Sequence, residues 1–229
     1  MAQNWAFVQE NSALDDAAAT TIAVTLTGVA SGSLIVVFVG HSSSGSTTGV
    51  NDGSAYTQAG SQATDVINSQ ASDAWYFINH ASGNPTITAT FSSSIQYRRI
   101  RVAEYSGIAT TGAFDAANQN YQANPGTGTD AIVSGNITTA EVDELIVSWT
   151  QNTGDGSTVA SPGTGFTGRG TGVYQDRLED KHQATTGTTN GTFTQGVDIA
   201  RTTHVVAFKQ VAGGAATNTG WYSSKGGWQ

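Results

Sequence analysis

The chain has no cysteine. Disulfides, thiolate nucleophiles and cysteine zinc sites are therefore excluded. Charge is scarce too: Asp, Glu, Lys and Arg make up 11% of the 229 residues, where an ordinary globular protein has about 25%. The few charges are unbalanced, 17 acidic against 9 basic, for a formal net charge of −8. A nucleic-acid binder would show a basic patch, and this composition offers none. The longest apolar run, 34–39, is six residues, far short of the ~18 that a membrane helix needs. Charged heptads are missing, which excludes a coiled coil. Met1-Ala2-Gln3-Asn4-Trp5 carries neither a basic n-region nor an apolar h-region, so no cleavable secretory signal is expected.

Helix signals are nearly absent. Residues 13–19, with Leu14, two aspartates and four alanines, predict one or two helical turns at most. Ser, Thr and Gly fill the space that charge leaves. Elsewhere the pattern is short β-prone runs divided by Gly, Ser, Asn and Asp clusters. Strands are predicted near 5–9, 21–27, 34–40, 55–60, 73–79, 86–91 and 95–105. A second set follows near 116–122, 131–138, 144–151, 165–168, 173–181, 191–194 and 202–209. In 21–27, Ile22, Val24 and Leu26 alternate with small or polar residues, as on a half-buried strand. The run 34–39 is apolar throughout, as a strand buried on both faces would be.

The chain also echoes itself. Leu34 aligns with Leu145, Tyr56 with Phe166, Phe91 with Phe193 and Val102 with Val205, at offsets of 111, 110, 102 and 103. A period of about 105 residues is too long for a solenoid repeat. Two similar halves allow two stacked sandwiches or one sandwich of two Greek keys. Each half is short for an independent core, which favours the second arrangement. The expected fold is all-β: a jelly-roll-like antiparallel β-sandwich with two pseudo-repeated halves over residues 1–210, including a short N-terminal segment. Residues 211–229 form a Gly-rich tail without a strand pattern. It carries Trp221, Tyr222 and Trp228, which are costly to leave in water, so a neighbouring subunit is expected to hold it.

Several motifs recur in a recognisable order. They are Asp143-Glu144-Leu145-Ile146-Val147, Gly163-Thr164-Gly165-Phe166-Thr167, Leu178-Glu179-Asp180-Lys181 and Val206-Ala207-Phe208-Lys209. In the first half the matching pieces are Asn51-Asp52-Gly53, Tyr56-Thr57 and Val102-Ala103-Glu104-Tyr105-Ser106-Gly107. Over roughly residues 20–210 this resembles a family of Ser/Thr/Gly-rich β-sandwich domains in tailed-phage structural proteins and bacterial surface proteins. The resemblance implies fold and brings no catalytic signature. Bacterial surface members usually sit in long secreted chains. Here no signal or companion module is seen, which tilts the expectation toward a virion component assembled in the host cytoplasm.

Candidate chemistry is thin. Gly163 to Gly168 spells G-x-G-x-x-G, but a nucleotide fingerprint needs a strand before it and a helix after it, and β-prone sequence lies on both sides. His41, His80, His182 and His204 show no metal-ligand spacing. His41 with Ser42-Ser43-Ser44 and Asp52 forms a Ser-His-Asp set on paper only, because a triad is defined by geometry. His204 is expected to be a satisfied sheet residue. A carboxylate pair for glycoside hydrolysis would draw on Glu104, Glu179 and Asp180. The expected uses are a Glu104–Arg98 pair, and salt bridges of Glu179 and Asp180 with neighbours such as Arg177 and Lys181. Glu141, Asp143 and Glu144 lack the spacing of a calcium loop. No enzyme activity, cofactor or metal is expected.

Arg98, Arg99 and Arg101 are the one basic cluster. Arg99, Arg101 and Tyr105 alternate onto one strand face. Arg and Tyr are enriched at interface hot spots, so this face is expected to meet another subunit, together with Trp5, Trp221, Tyr222 and Trp228. The plainer use is exposed charge that keeps a sheet soluble. The function expected first is a capsid decoration (cement) protein of a phage virion, a homotrimer that also grips the major capsid protein or another virion protein. The alternative is a tail-fibre or surface module that binds glycan through Trp75, Tyr76, Tyr121 or Tyr174. Neither nucleic acid nor membrane is an expected partner.

Overall fold

The computed structural model describes residues 3–154, 159–170 and 175–212. These residues form an all-β structure in which every strand pairing is antiparallel. In the first half the strands are β1 (Ala6–Asp15), β2 (Ala19–Thr25), β3 (Ser33–Ser42), β4 (Thr47–Asn51), β5 (Thr57–Gln58), β6 (Ala63–Asp65), β7 (Gln70–His80), β8 (Thr86–Ile95) and β9 (Arg98–Ser106). The second half contributes β10 (Phe114–Gln122), β11 (Gly128–Val133), β12 (Ile137–Thr139), β13 (Glu144–Asn152), β14 (Ser161–Pro162), β15 (Thr167–Arg169), β16 (Arg177–Gln183), β17 (Gly187–Thr189), β18 (Thr192–Gln195) and β19 (Arg201–Phe208).

Both halves have the same topology. The first builds a large sheet in the order β1-β9-β3-β7-β5, with β6 also on β7, and a small sheet β2-β8-β4. The second builds β10-β19-β13-β16-β15 and β11-β18-β14, plus the pair β12-β17. Irregularities repeat as well: β1 shifts register after Phe7 and β10 after Phe114, each at the strand's start. The expected fold class is what forms. Of the two arrangements the repeat allows, the favoured single sandwich of two Greek keys is not the one adopted. Each half closes its own jelly roll of two sheets, and the two large sheets pack against each other.

Packing explains why stacking wins. β3 is covered on both faces, which accounts for its unbroken apolar run. Ile35, Val37 and Val39 meet the small sheet through Ile22, Val24, Ile87 and Ala89. Leu34, Val36 and Phe38 point the other way and meet Leu145, Val147 and Trp149 of β13. A half too short for a comfortable core thus borrows one from its twin. Each of these buried side chains contributes about 1.5–3 kcal/mol. The core wholly inside the second half is smaller, centred on Ile137, Ile146, Val205 and Ala207, with Ile132 and Phe193 beside it.

The expected helical turn at 13–19 does not form. Ala13, Leu14 and Asp15 pair with Ile100, Arg99 and Arg98 of β9. Seven residues are too few to repay helix nucleation, and the sheet offers them partners. The chain then bends at residues 16–18 into β2: Asp15 accepts the Ala17 amide at 2.9 Å, while Arg98 bonds Asp15 at 2.8 Å and the Ala17 and Thr21 carbonyls. This clamp carries the chain from the large sheet to the small one.

Candidate functional site

The strand face chosen as a subunit contact turns inward. Alternation along β9 sends Ile100, Val102 and Glu104 toward the small sheet, and Arg99, Arg101, Ala103 and Tyr105 toward the second half. Trp5, Arg101 and Tyr105 are buried within the chain, so the expected contact through them is corrected: they join the halves of one molecule. Arg101 pairs with Glu10 at 2.6 Å and with Asp176 at 2.9 and 3.0 Å. The Trp149 indole donates to the same Asp176 at 3.1 Å. Burial opposes the Arg101 charge, but Asp176 and Glu10 outweigh it and the guanidinium is held above its usual range. Tyr105 meets Trp5 and Phe7 edge-on, with ring centroids 6.2 and 5.7 Å away. Burial, then the neighbouring Asp180, pushes its phenol well up. Among the described members of the set only Arg99 is partly buried; it lines a cavity of about 320 Å³ with Tyr97, Asn68 and Asn152. Trp221, Tyr222 and Trp228 lie outside the described residues.

The other sequence candidates are dispersed. Gly163–Gly168 runs from the end of β14 through a turn into β15, a strand where a nucleotide fingerprint needs a helix. Gly163 is demanded by packing, since a Cβ there would overlap the Thr192 main chain. His41 is fully buried and faces Asp73 at 3.3 Å, and not Asp52. His204 is a buried sheet residue bonded to Ser72 at 2.8 Å, and burial lowers it to about 4. Arg98 and Glu104 share a face six residues apart and do not pair. Glu104 instead takes the Ser33 hydroxyl at 2.6 Å and Gln9 at 2.6 Å. Asp180 receives a two-pronged contact from Arg169 at 2.6 and 2.9 Å. Glu179, on the opposite face, accepts the Gly163 amide at 2.9 Å, and burial pushes it up to about 9. The expected salt bridge with a neighbour thus forms at Asp180, through Arg169, while Glu179 takes a main-chain amide.

The acidic cluster also divides. Asp143 bonds His182 at 2.9 Å, Glu141 faces Lys209 at 3.5 Å, and buried Glu144 is raised to about 7, first by burial. Among the described residues no group of three His, Asp or Glu side chains is placed to hold a metal. Of the aromatics considered for sugar stacking, Trp75 is buried in the first half's core and Tyr76 stacks on Phe114, centroids 4.8 Å apart. Tyr121 is half-buried beside Asp65, and Tyr174 lies outside the described residues.

What sequence reading missed is a cleft of about 420 Å³ at one end of the first jelly roll. Its walls are the turn after β4, with Asp52 and Ser54, and the loop between β7 and β8, from Ala81 to Pro85. His80 joins the walls: Nε2 meets Asp52 at 2.6 Å and Nδ1 meets the Ala81 carbonyl at 2.5 Å. Both ring nitrogens face acceptors, so neither is free to serve as a base toward a ligand. Tyr56 donates its hydroxyl to the same Asp52 oxygen at 3.2 Å. Burial, then Asp52, pushes the Tyr56 phenol far up. Phe77 supports the cleft, 5.2 Å from Tyr56 and 5.6 Å from His80 between ring centroids. His80 and Asp52 are 28 residues apart, and no local pattern connects them. One cue was present: Asp52-Gly53 and Tyr56 lie in a turn that the resemblance had marked.

Among the described residues of the twin half, Gln183 lies across from Glu144 where His80 lies across from Ser33. Phe77 faces Ile35 across the strands, as Lys181 faces Ile146. Where Tyr56 meets Phe77, Lys181 lies over the Phe166 ring at 4.5 Å. A scan against models of known protein families finds no match to this chain, and a search of curated proteins finds none either.

Proposed function

We propose that this chain is a structural protein of a tailed-phage virion, a capsid decoration protein that braces the outer head through subunit–subunit contacts. The observation that carries the reading is the core shared between the two large sheets. It joins two jelly rolls without a hinge, and a block joined this way transmits load between its neighbours. The Thr- and Ser-rich outer strands, such as β2 and β8, leave little charge to repel close-packed copies. In this reading the adhesive contacts fall to the tail aromatics Trp221, Tyr222 and Trp228, because Trp5, Arg101 and Tyr105 are used inside the molecule. The proposed assembly is a homotrimer on the head surface.

The test is to add the purified chain to expanded heads that lack it. Binding, with a raised temperature of head disruption, is the expected result; no binding overturns the reading. Light scattering with and without residues 211–229 checks the assembly. A trimer that needs the tail makes the tail the oligomerisation element. A monomer with and without it removes the trimer.

A further inference from the structure

We infer that the cleft between Asp52 and Asn84 is a binding site for a neutral saccharide. The inference does not depend on where the protein is deployed.

The site is built before any ligand arrives. The β7–β8 loop is pinned to the preceding β2–β3 loop from end to end. Gly32 donates to the His80 carbonyl at 2.8 Å, Val29 and Gly83 exchange bonds at 2.8 and 3.0 Å, and Leu26 donates to the Pro85 carbonyl at 3.1 Å. The Asn84 side chain accepts the Gly28 amide at 2.7 Å. The opposite wall is fixed by Asp52, which accepts the Ser54 amide at 3.1 Å and joins Tyr56 and His80. A preformed site avoids the ordering cost that weakens binding by mobile loops.

Its chemistry selects a neutral, polyhydroxylated ligand. No Lys or Arg lines the cleft, so nothing there answers a phosphate or carboxylate. The one carboxylate, Asp52, is already engaged by His80, so a cation is not called for either. What remains are uncommitted polar groups of both kinds. The side chains of Asn79 and Ser82 have no hydrogen-bond partner among the described residues. Asn79 is exposed at a left-handed φ of 61°, a conformation asparagine tolerates better than most residues. Phe77 adds an apolar surface for the C–H face of a sugar ring. The volume, about 420 Å³, lies within the usual range for small-ligand sites, about 300–1,000 Å³.

The comparison between the halves supports the assignment independently. The same fold, built twice, has His80 at the cleft in the first half and Gln183 at the equivalent register position in the second. At the corresponding place in the second half a lysine covers an aromatic ring. The cleft is therefore not imposed by the topology.

The experiment is a titration of the full chain by NMR with neutral oligosaccharides ending in glucose, galactose or N-acetylglucosamine, and with sialylated ones as the anionic arm. Two variants accompany it. Asn79→Gly removes the amide while keeping the backbone conformation, and Ser82→Trp fills the cleft. Thermal melts confirm that both fold. The expected result is a response to at least one neutral sugar, confined to residues around Asp52 and 79–84. Asn79→Gly weakens it about tenfold, and Ser82→Trp abolishes it. No response to any neutral sugar at about 10 mM, a range that reveals even millimolar affinity, overturns the inference. So does binding that survives both variants, or a preference for the anionic arm.

Discussion

Phe38 and Trp149 stack with ring centroids 5.6 Å apart and planes 15° from parallel, and they occupy the same position in the two halves. Phe38 faces Arg101 across β3 and β9; Trp149 faces His204 across β13 and β19. Two equivalent residues that touch each other mark a pseudo-twofold axis. The contacts around it behave as an isologous interface does, each made twice in exchanged roles. On one side Tyr76 of β7 stacks on Phe114 of β10. On the other, Asp180 of β16 holds Arg169, which lies 4.6 Å over the ring of Phe7 in β1. The molecule is a dimer written in one chain, with one half aromatic where the other is charged.

Phe38→Ala and Trp149→Ala are each expected to cost about 3–5 kcal/mol, the range for deleting a buried aromatic. The double variant should cost less than the sum, because both remove the same stack. Urea unfolding of the three variants checks this. Strict additivity would show that the rings do not support each other.

Arg101→Met leaves Glu10 and Asp176 without their shared cation. Breaking a buried pair from one side costs about 3–5 kcal/mol. Arg101→Met combined with Asp176→Asn should recover part of that loss, although Trp149 still needs the amide oxygen as acceptor. Arg99→Met, at a partly exposed position, should cost less than Arg101→Met. Equal losses for the two single variants would contradict the burial difference.

Glu179 gives stability an alkaline weakness. Its carboxyl is raised from an ordinary 4.5 to about 9 in the folded chain. Between those values the folded state binds a proton that the unfolded state releases, so stability is full below about 4.5 and falls as pH rises toward 9. Glu179→Gln removes the proton-linked loss and keeps an acceptor for the Gly163 amide. The variant should gain on the natural chain steadily from pH 5 to 9, by several kcal/mol at the top. A pH-independent difference between them would contradict the assignment.

His204 acts at the other end. Burial lowers it from 6.5 to about 4. Its contribution is complete above 6.5 and is lost as pH falls through 4, because unfolding lets the ring take up a proton. His204→Gln should lose a few kcal/mol less than the natural chain between pH 7 and 4. Parallel stability curves for the two proteins would refute this.

Much of the architecture was legible in the sequence. Scarce charge, β-prone runs and Gly/Ser/Asn punctuation establish an all-β chain. Two-residue alternation identifies Ile22, Val24 and Leu26 as core, and the unbroken run in β3 identifies a strand covered on both sides. The echo between Leu34 and Leu145 shows duplication. These signals are local or repeat along the chain, so one dimension holds them. The layers were decided only by the tertiary structure. Alternation on β9 separates Arg99, Arg101 and Tyr105 from Ile100 and Val102, but it does not say what covers each face. A face that reads as polar and exposed can be internal when its compensating charges come from afar, as Glu10 and Asp176 come to Arg101. The cleft is the same case. Asp52 and His80 each look ordinary in sequence, and they become a pair because sheet pairing brings together two turns whose residues have no local reason to meet.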